Sequence, residues 1–258
     1  MITSTSNSQV KDVINLLKKS GERKRRGLFV IEGIRMFAEI PKDRIEKVYA
    51  SESFVMNNKD ILTNVEYEVV SDKVYSQMSD TKTPQGIMAV VRMLEYDISD
   101  IIKGDKPVVV ILENIQDPGN LGTIIRTSEG AGVTGIIMSA NTVDIYNPKV
   151  IRSTMGALFR MPFIYVPDIV DTSKRLKERG ITLLAGHLNG TNYYKENLNL
   201  PLGVMIGNEG NGLTDELSAV ADKLIKIPME GKLESLNAAV STAVILYEAY
   251  RQRAEFDK

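Results

Sequence analysis

Six short runs of Val, Ile and Leu, separated by stretches long enough for a helix, constrain this chain most. The runs are Val108–Leu112, Gly135–Met138, Phe163–Val166, Ile181–Ala185, Leu202–Ile206 and Leu224–Ile227. Their apolar content is nearly continuous rather than alternating, which is the mark of parallel strands buried on both faces. Helices fit between the runs, the last over Leu236–Arg253. The pattern predicts an α/β domain with a mostly parallel, doubly wound sheet.

A sheet of this kind places ligands outside the carboxyl ends of its strands, and three of the turns there are unusual. Asn114-Ile-Gln-Asp-Pro-Gly-Asn-Leu-Gly-Thr-Ile-Ile-Arg126 follows the first run. Ile206-Gly-Asn-Glu-Gly-Asn-Gly-Leu213 follows the fifth, and Ile227-Pro-Met-Glu-Gly-Lys-Leu-Glu-Ser-Leu-Asn-Ala-Ala239 the sixth. In the first, Asp117-Pro118-Gly119 ends the strand and turns it into a helix that starts near Asn120; Pro cannot continue a strand, and Gly permits the change of direction. On local grounds Asn120 reads as a helix cap, and Arg126 as a solvated or phosphate-pairing cation. Glu209 reads as a carboxylate receiving N–H groups of the next helix, and Ser235 as an N-cap. The glycines around Gly207 let the backbone pass close to a ligand. A Rossmann dinucleotide fingerprint and a Walker A sequence are both absent, since Gly207-Asn-Glu-Gly-Asn-Gly212 has the wrong spacing for either.

In order, spacing and residue type, the three turns resemble the signature motifs of the SpoU/TrmH branch of the SPOUT RNA methyltransferases. The resemblance runs from Pro107 to the C-terminus. Ala238 and Ala239 depart slightly, standing where Val and Ala or Ser are common. It implies a SPOUT-type sheet whose C-terminal segment is threaded into a deep trefoil knot, a homodimer through that domain, and S-adenosylmethionine as methyl donor. It also implies catalytic roles for Asn120, Arg126, Glu209, Ser235 and Asn237, and cofactor contacts, mainly through backbone, at Gly207, Ile227, Met229 and Leu236. Leu236, Val240, Ala243, Tyr247 and Tyr250 recur at helical spacing and are expected in core or dimer contacts.

Residues 1–93 read as a smaller α/β domain, and the charged stretch 94–106 as a linker to the domain 107–258. Phe29-Val-Ile-Glu-Gly33 and Thr83-Pro-Gln-Gly86 resemble the ribosomal-protein-like RNA-binding module of many SpoU-type enzymes. The net charge of −1 does not advertise a nucleic-acid partner, but Lys18, Lys19, Arg23, Lys24, Arg25 and Arg26 fall within nine positions. Alone, such a cluster reads as a solvated loop after the first helix; beside the motifs it is expected to contact RNA phosphates. The chain has no Cys and one residue, His187, of its histidine type. Disulfides and Cys-ligated zinc are excluded, and neither a His-based metal site nor a Ser-His-Asp triad is expected. His187 itself reads as a loop or interface residue. No apolar run approaches the roughly 18 residues of a membrane span, and the first residues lack a signal-like apolar core, so the expected compartment is the cytoplasm.

The resemblance implies methyl transfer to a ribose 2′-hydroxyl, with the two-domain layout favouring ribosomal RNA over tRNA. A non-catalytic RNA-binding or ribosome-assembly factor on the same fold is the competing expectation. A nucleotide-dependent enzyme on an ordinary Rossmann sheet is a third.

Overall fold

The computed structural model describes residues 1–256 and contains two compact units. The first unit comprises Met1–Leu94 and Asp144–Phe159, the second Glu95–Val143 and Arg160 onward. The first begins with α1 (Ser8–Lys18), capped by Asn7 and burying Val10, Val13, Leu16 and Leu17. It continues through α2 (Ser20–Arg26), β1 (Leu28–Glu32), α3 (Ile34–Ala38), β2 (Ile45–Ser51), α4 (Glu52–Asn57), β3 (Glu68–Val70), α5 (Asp72–Met78) and β4 (Ile87–Arg92). The sheet order is β1-β4-β2-β3; β4 is antiparallel to both neighbours, and β2 and β3 are parallel.

The basic cluster runs from the end of α1 through α2 rather than forming the solvated loop that composition suggests, and Arg23 is not on its surface. Its guanidinium is buried, bonding Asp144 Oδ2 (2.9 Å from Nε and 2.5 Å from Nη2) and the carbonyls of Leu16 and Leu17. Arg26 is partly paired with Asp12 at 3.5 Å, and Arg25 with Glu22 at 2.7 Å. Lys18, Lys19, Lys24 and Arg25 remain exposed. Breaking a buried ion pair strands the remaining charge. Arg23→Ala is therefore expected to cost about 3 kcal/mol of stability, read as a lowered urea midpoint at an unchanged slope.

The second unit runs through α6 (Ile98–Ile101), β5 (Val108–Leu112), α7 (Pro118–Gly130) and β6 (Gly135–Ser139). Next comes α8 (Pro148–Thr154), which sequence places with the second domain but which packs in the first unit. The reason is aromatic and polar: Tyr146 stacks on Phe29 with ring centroids 4.5 Å apart, and its hydroxyl bonds both backbone groups of Leu94. Then follow β7 (Phe163–Val166), α9 (Ile169–Glu178), β8 (Thr182–Asn192), β9 (Leu202–Ile206), α10 (Asp215–Ser218), β10 (Lys223–Lys226) and α11 (Ala238–Phe256). The stretch 94–106 is not a bare linker, because Ile101 of α6 is fully buried in the core of this unit.

All five strand pairs of the second sheet are parallel, in the order β10-β8-β9-β5-β6-β7. The α/β class and parallel sheet agree with expectation. On one face, Val109, Ile111, Ile137, Leu183 and Met205 pack with Leu176 of α9 and Leu217 of α10. Strand alternation turns Val110 and Leu112 to the other face, on the side where α11 packs against β9 and α7. The chain leaves β5 toward β6 on one side, while β9 flanks β5 on the other. This reversal is the switch point at which open α/β sheets bind ligands. Among the described residues, no helix is long and apolar enough to cross a membrane.

Candidate active site

The turns after β5, β9 and β10 meet at that switch point, and the starts of α7 and α11 complete the site. Beyond β5, Asn114 adopts φ +56°, a left-handed conformation that Asn tolerates. Its carbonyl accepts from Asn208 Nδ2 at 2.9 Å, which ties the second turn to the first. Asp117, not Asn120, caps α7: its Oδ1 accepts from the Asn120 backbone N–H at 2.9 Å, with Pro118 in the first helical position. The Asn120 carboxamide is thereby released for other work.

That carboxamide sits in the middle of a hydrogen-bond chain joining all three turns. Asn237 Oδ1 accepts from the backbone N–H groups of Ala239 (2.9 Å) and Val240 (3.3 Å) at the start of α11. Because an oxygen must face those donors, Asn237 turns Nδ2 toward Asn120 and donates to its Oδ1 at 2.9 Å. Asn120 must then present its own Nδ2, which donates to Glu209 Oε1 at 3.0 Å. One helix terminus thus fixes the orientation of two amides and of a carboxylate. It also shows that Asn237, rather than Ser235, caps the final helix, which begins at Ala238 instead of Leu236.

Glu209 accepts further bonds from the backbone N–H groups of Gln116 (3.1 Å) and Asp117 (3.0 Å). These donors precede α7, so the carboxylate serves the first turn and not the helix that follows its own. Burial pushes the Glu209 carboxyl up, but the Asn120, Asp117 and Gln116 donors outweigh it and hold the pKa below the ordinary value. A depressed folded-state pKa means the contribution to stability is complete above the ordinary carboxylate value of 4.5 and is lost as pH falls through the lowered one. At neutral pH the group is ionised: an anchor and a fixed negative charge.

A cleft of about 870 Å³ opens beside this chain, within the size range of small-molecule sites. Its walls include Gly207, Ile227, Met229 and Leu236, and Asn120, Glu209, Ser235 and Asn237 stand along it. Arg126 does not line it; it is exposed on α7. The six clustered cations lie in the first unit and take no part in the cleft. Gly207 has a different reason than close approach to a ligand. A Cβ there would fall well inside contact distance of the Gly212–Leu213 backbone, so a larger residue would break the loop itself. Sequence reasoning missed Gln116, Asn208 and the segment Gly186–Leu188, which also line the cleft. Asn208 shapes the loop by accepting from the N–H groups of Gly210 and Asn211, as Asn in glycine-rich turns often does. His187 belongs to β8, which runs seven residues past Ala185.

The walls suit a nucleoside-bearing cation. Ile206, Ile225, Ile227, Leu236 and Ile245 give apolar surface, and Asp117, Glu209 and Glu234 give negative charge against one lysine, Lys226. Comparison with known proteins agrees. The SpoU rRNA Methylase family model matches residues 107–247, and the MRM3-like substrate binding domain matches residues 7–89. The chain belongs to the SpoU methylase family. It is 33% identical to the 23S rRNA (guanosine(2553)-2′-O)-methyltransferase RlmP of Bacillus subtilis, covering 95% of this chain and 97% of that one. Its fold is similar to the SpoU methyltransferase AviRb of Streptomyces viridochromogenes in complex with AdoMet, with TM-score 0.87, 27% identity and coverage of 96% and 98%. The AdoMet-bound rRNA methyltransferase of Sinorhizobium meliloti superposes with TM-score 0.84, at 30% identity and 97% coverage of both chains.

Proposed function

We propose that this protein transfers a methyl group from S-adenosylmethionine to a ribose 2′-hydroxyl of ribosomal RNA. The observation that carries the reading is the chain Asn237–Asn120–Glu209, which links all three turns beside a nucleoside-sized cleft. Ribosomal RNA is favoured over tRNA because relatives named for rRNA match nearly the whole chain, the first unit included.

When bound, S-adenosylmethionine supplies a methyl group already activated on a positive sulfur. The chain's own task is alignment, which can supply up to roughly 7–11 kcal/mol. Gly207, Ile227, Met229 and Leu236 form the cofactor wall. Glu209 and Asn120 hold the rim in place, and Ser235 is part of the cleft wall. A guanidinium stays protonated in proteins, so Arg126 is assigned to the phosphate flanking the target ribose, where its charge favours ionisation of the hydroxyl. The hydroxyl proton leaves to water. The active form is a homodimer closed over α11, whose Tyr247 and Tyr250 are each about half exposed, with the knot of the family in its C-terminal segment. It works in the cytoplasm alongside its RNA. Lys18, Lys19, Lys24 and Arg25 contact RNA phosphates; Arg26 does so in part, and Arg23 holds α2 in place.

The test is incubation with methyl-labelled S-adenosylmethionine and ribosomal RNA stripped of modification, followed by alkaline hydrolysis and mass spectrometry. Label in alkali-resistant dinucleotides is expected. Label on a base, or tight RNA binding without transfer, would overturn the reading, the latter in favour of a non-catalytic assembly factor. RNA affinity should also fall steeply with salt, with a log–log slope of about −2 to −4 for three to five phosphate contacts.

A further inference from the structure

The strand β8 carries a five-residue excursion at the edge of the cleft. Leu224 of β10 pairs with Ala185, yet the next residue, Ile225, pairs with Thr191. Gly186-His187-Leu188-Asn189-Gly190 is therefore extruded from the ladder between two consecutive rungs. Such bulges cost ladder bonds and commonly re-aim side chains beside sites. Here the far end is fixed by contact: a Cβ at Gly190 would stand 2.5 Å from the backbone of Ile225, so only glycine lets β10 close behind the bulge.

The bulge puts three residues on the cleft, Gly186 and two that carry side chains. Leu188 is 58% exposed although apolar. His187 is the chain's only histidine. Its Nδ1 accepts from the Asn189 backbone N–H at 3.1 Å, which leaves Nε2 as the ring's outward N–H donor. Among the described residues, Nε2–H has no protein acceptor. An N–H donor beside an exposed Leu, with Ile227 on the same wall, matches a flat, mostly apolar group with a few acceptor atoms. It does not match an ammonium. Of the charged groups of the cleft, Asp117, Glu209 and Glu234 come from the other turns, and Lys226 comes from β10 beside the bulge.

We propose that His187 recognises the adenosine part of the cofactor by donating from Nε2, with Leu188 covering its apolar face. This rests on the S-adenosylmethionine reading of the cleft and names the residue that sequence reading set aside.

The test uses two ligands on the full-length protein: S-adenosylhomocysteine, and methylthioadenosine, which keeps the nucleoside but lacks the amino-acid end. Long-range ¹H–¹⁵N correlation of the labelled protein shows one histidine, so assignment is immediate. The Nε2–H tautomer is expected in the free protein, and both ligands should shift its resonances. By calorimetry, His187→Ala should weaken both ligands by about fivefold to tenfold, and His187→Gln, which retains a donor near the Nε2 position, should recover much of that. Equal binding by wild type and His187→Ala would overturn the inference while leaving the cofactor site intact. Weakening of S-adenosylhomocysteine alone would move His187 to the amino-acid end and also overturn it. Failure of the wild type to bind either ligand would instead sink the cofactor reading, and this inference with it.

Discussion

Asn120→Asp is expected to weaken S-adenosylhomocysteine about 100-fold at neutral pH and to abolish methyl transfer. The substitution keeps the shape but replaces an N–H donor with an oxygen 3.0 Å from the Glu209 carboxylate. A hydrogen bond to a charged group is worth about 1.5–3 kcal/mol, and its loss is compounded by repulsion between two carboxylates sharing one place. Glu209 also holds Gln116 and Asp117, so the variant should loosen the rim of the cleft as well as one contact. Asn120→Ala removes the donor without adding charge, and should cost about tenfold in binding. A pH signature separates the two. Paired carboxylates take up a proton more readily than either alone, and a shared proton restores an O–H donor. Binding by Asn120→Asp should therefore improve from pH 7.5 toward pH 5.5, while the wild type, whose Glu209 pKa is lowered, stays flat. Calorimetry at the two pH values decides it; an Asn120→Asp protein with wild-type affinity at pH 7.5 would show the amide chain to be incidental.

Why this chain was not visible in the sequence is a matter of which interactions are local. The strands were legible because burial on both faces leaves an unbroken apolar run, and five of the six predicted strands in the second sheet lie within one residue of their places. β8 is the exception: its first half is apolar, but the rest, Gly186–Asn192, is held by pairing with β10, which no local pattern reports. The caps were misassigned for a related reason. Asn120 and Ser235 are both good cap residues, yet Asp117 and Asn237 hold those positions; propensity identifies residue types that can cap, and tertiary contacts choose among them. Glu209 was recognised as a receiver of backbone N–H groups, but its donors lie 92 and 93 positions away. The basic cluster shows the same limit from the other side. Six cations in nine positions look equivalent in sequence, and only the fold, by bringing up Asp144 from 121 residues away, removes Arg23 from the surface.

Arg126→Ala should lower the turnover rate about 10²–10³-fold, the usual cost of losing a charge-stabilising donor in the transition state, while leaving S-adenosylhomocysteine affinity within about twofold. The separation follows from position. Six residues along an α-helix put Arg126 about 9 Å beyond Asn120 and a third of a turn around it, exposed and off the cleft wall. It has a different neighbourhood. Gly130 is four residues on and so on the same helix face, and a Cβ there would lie 3.4 Å from the Tyr247 hydroxyl. Arg126 thus shares a surface with the half-exposed Tyr247 and Tyr250, the face proposed to close the dimer, and in such a pair it would act on the neighbouring copy's cleft. Arg126→Lys, which keeps the charge but not the planar two-pronged fork, should recover no more than about a tenth of the lost rate. The stronger test mixes two inactive proteins, Asn120→Asp and Arg126→Ala, after subunit exchange. If the two residues serve one site from different copies, random pairing of a two-fold dimer leaves one intact site in half of the dimers, or about a quarter of wild-type activity. If they serve it from the same copy, the mixture stays as inactive as its components, and the assignment of Arg126 to the neighbouring cleft fails.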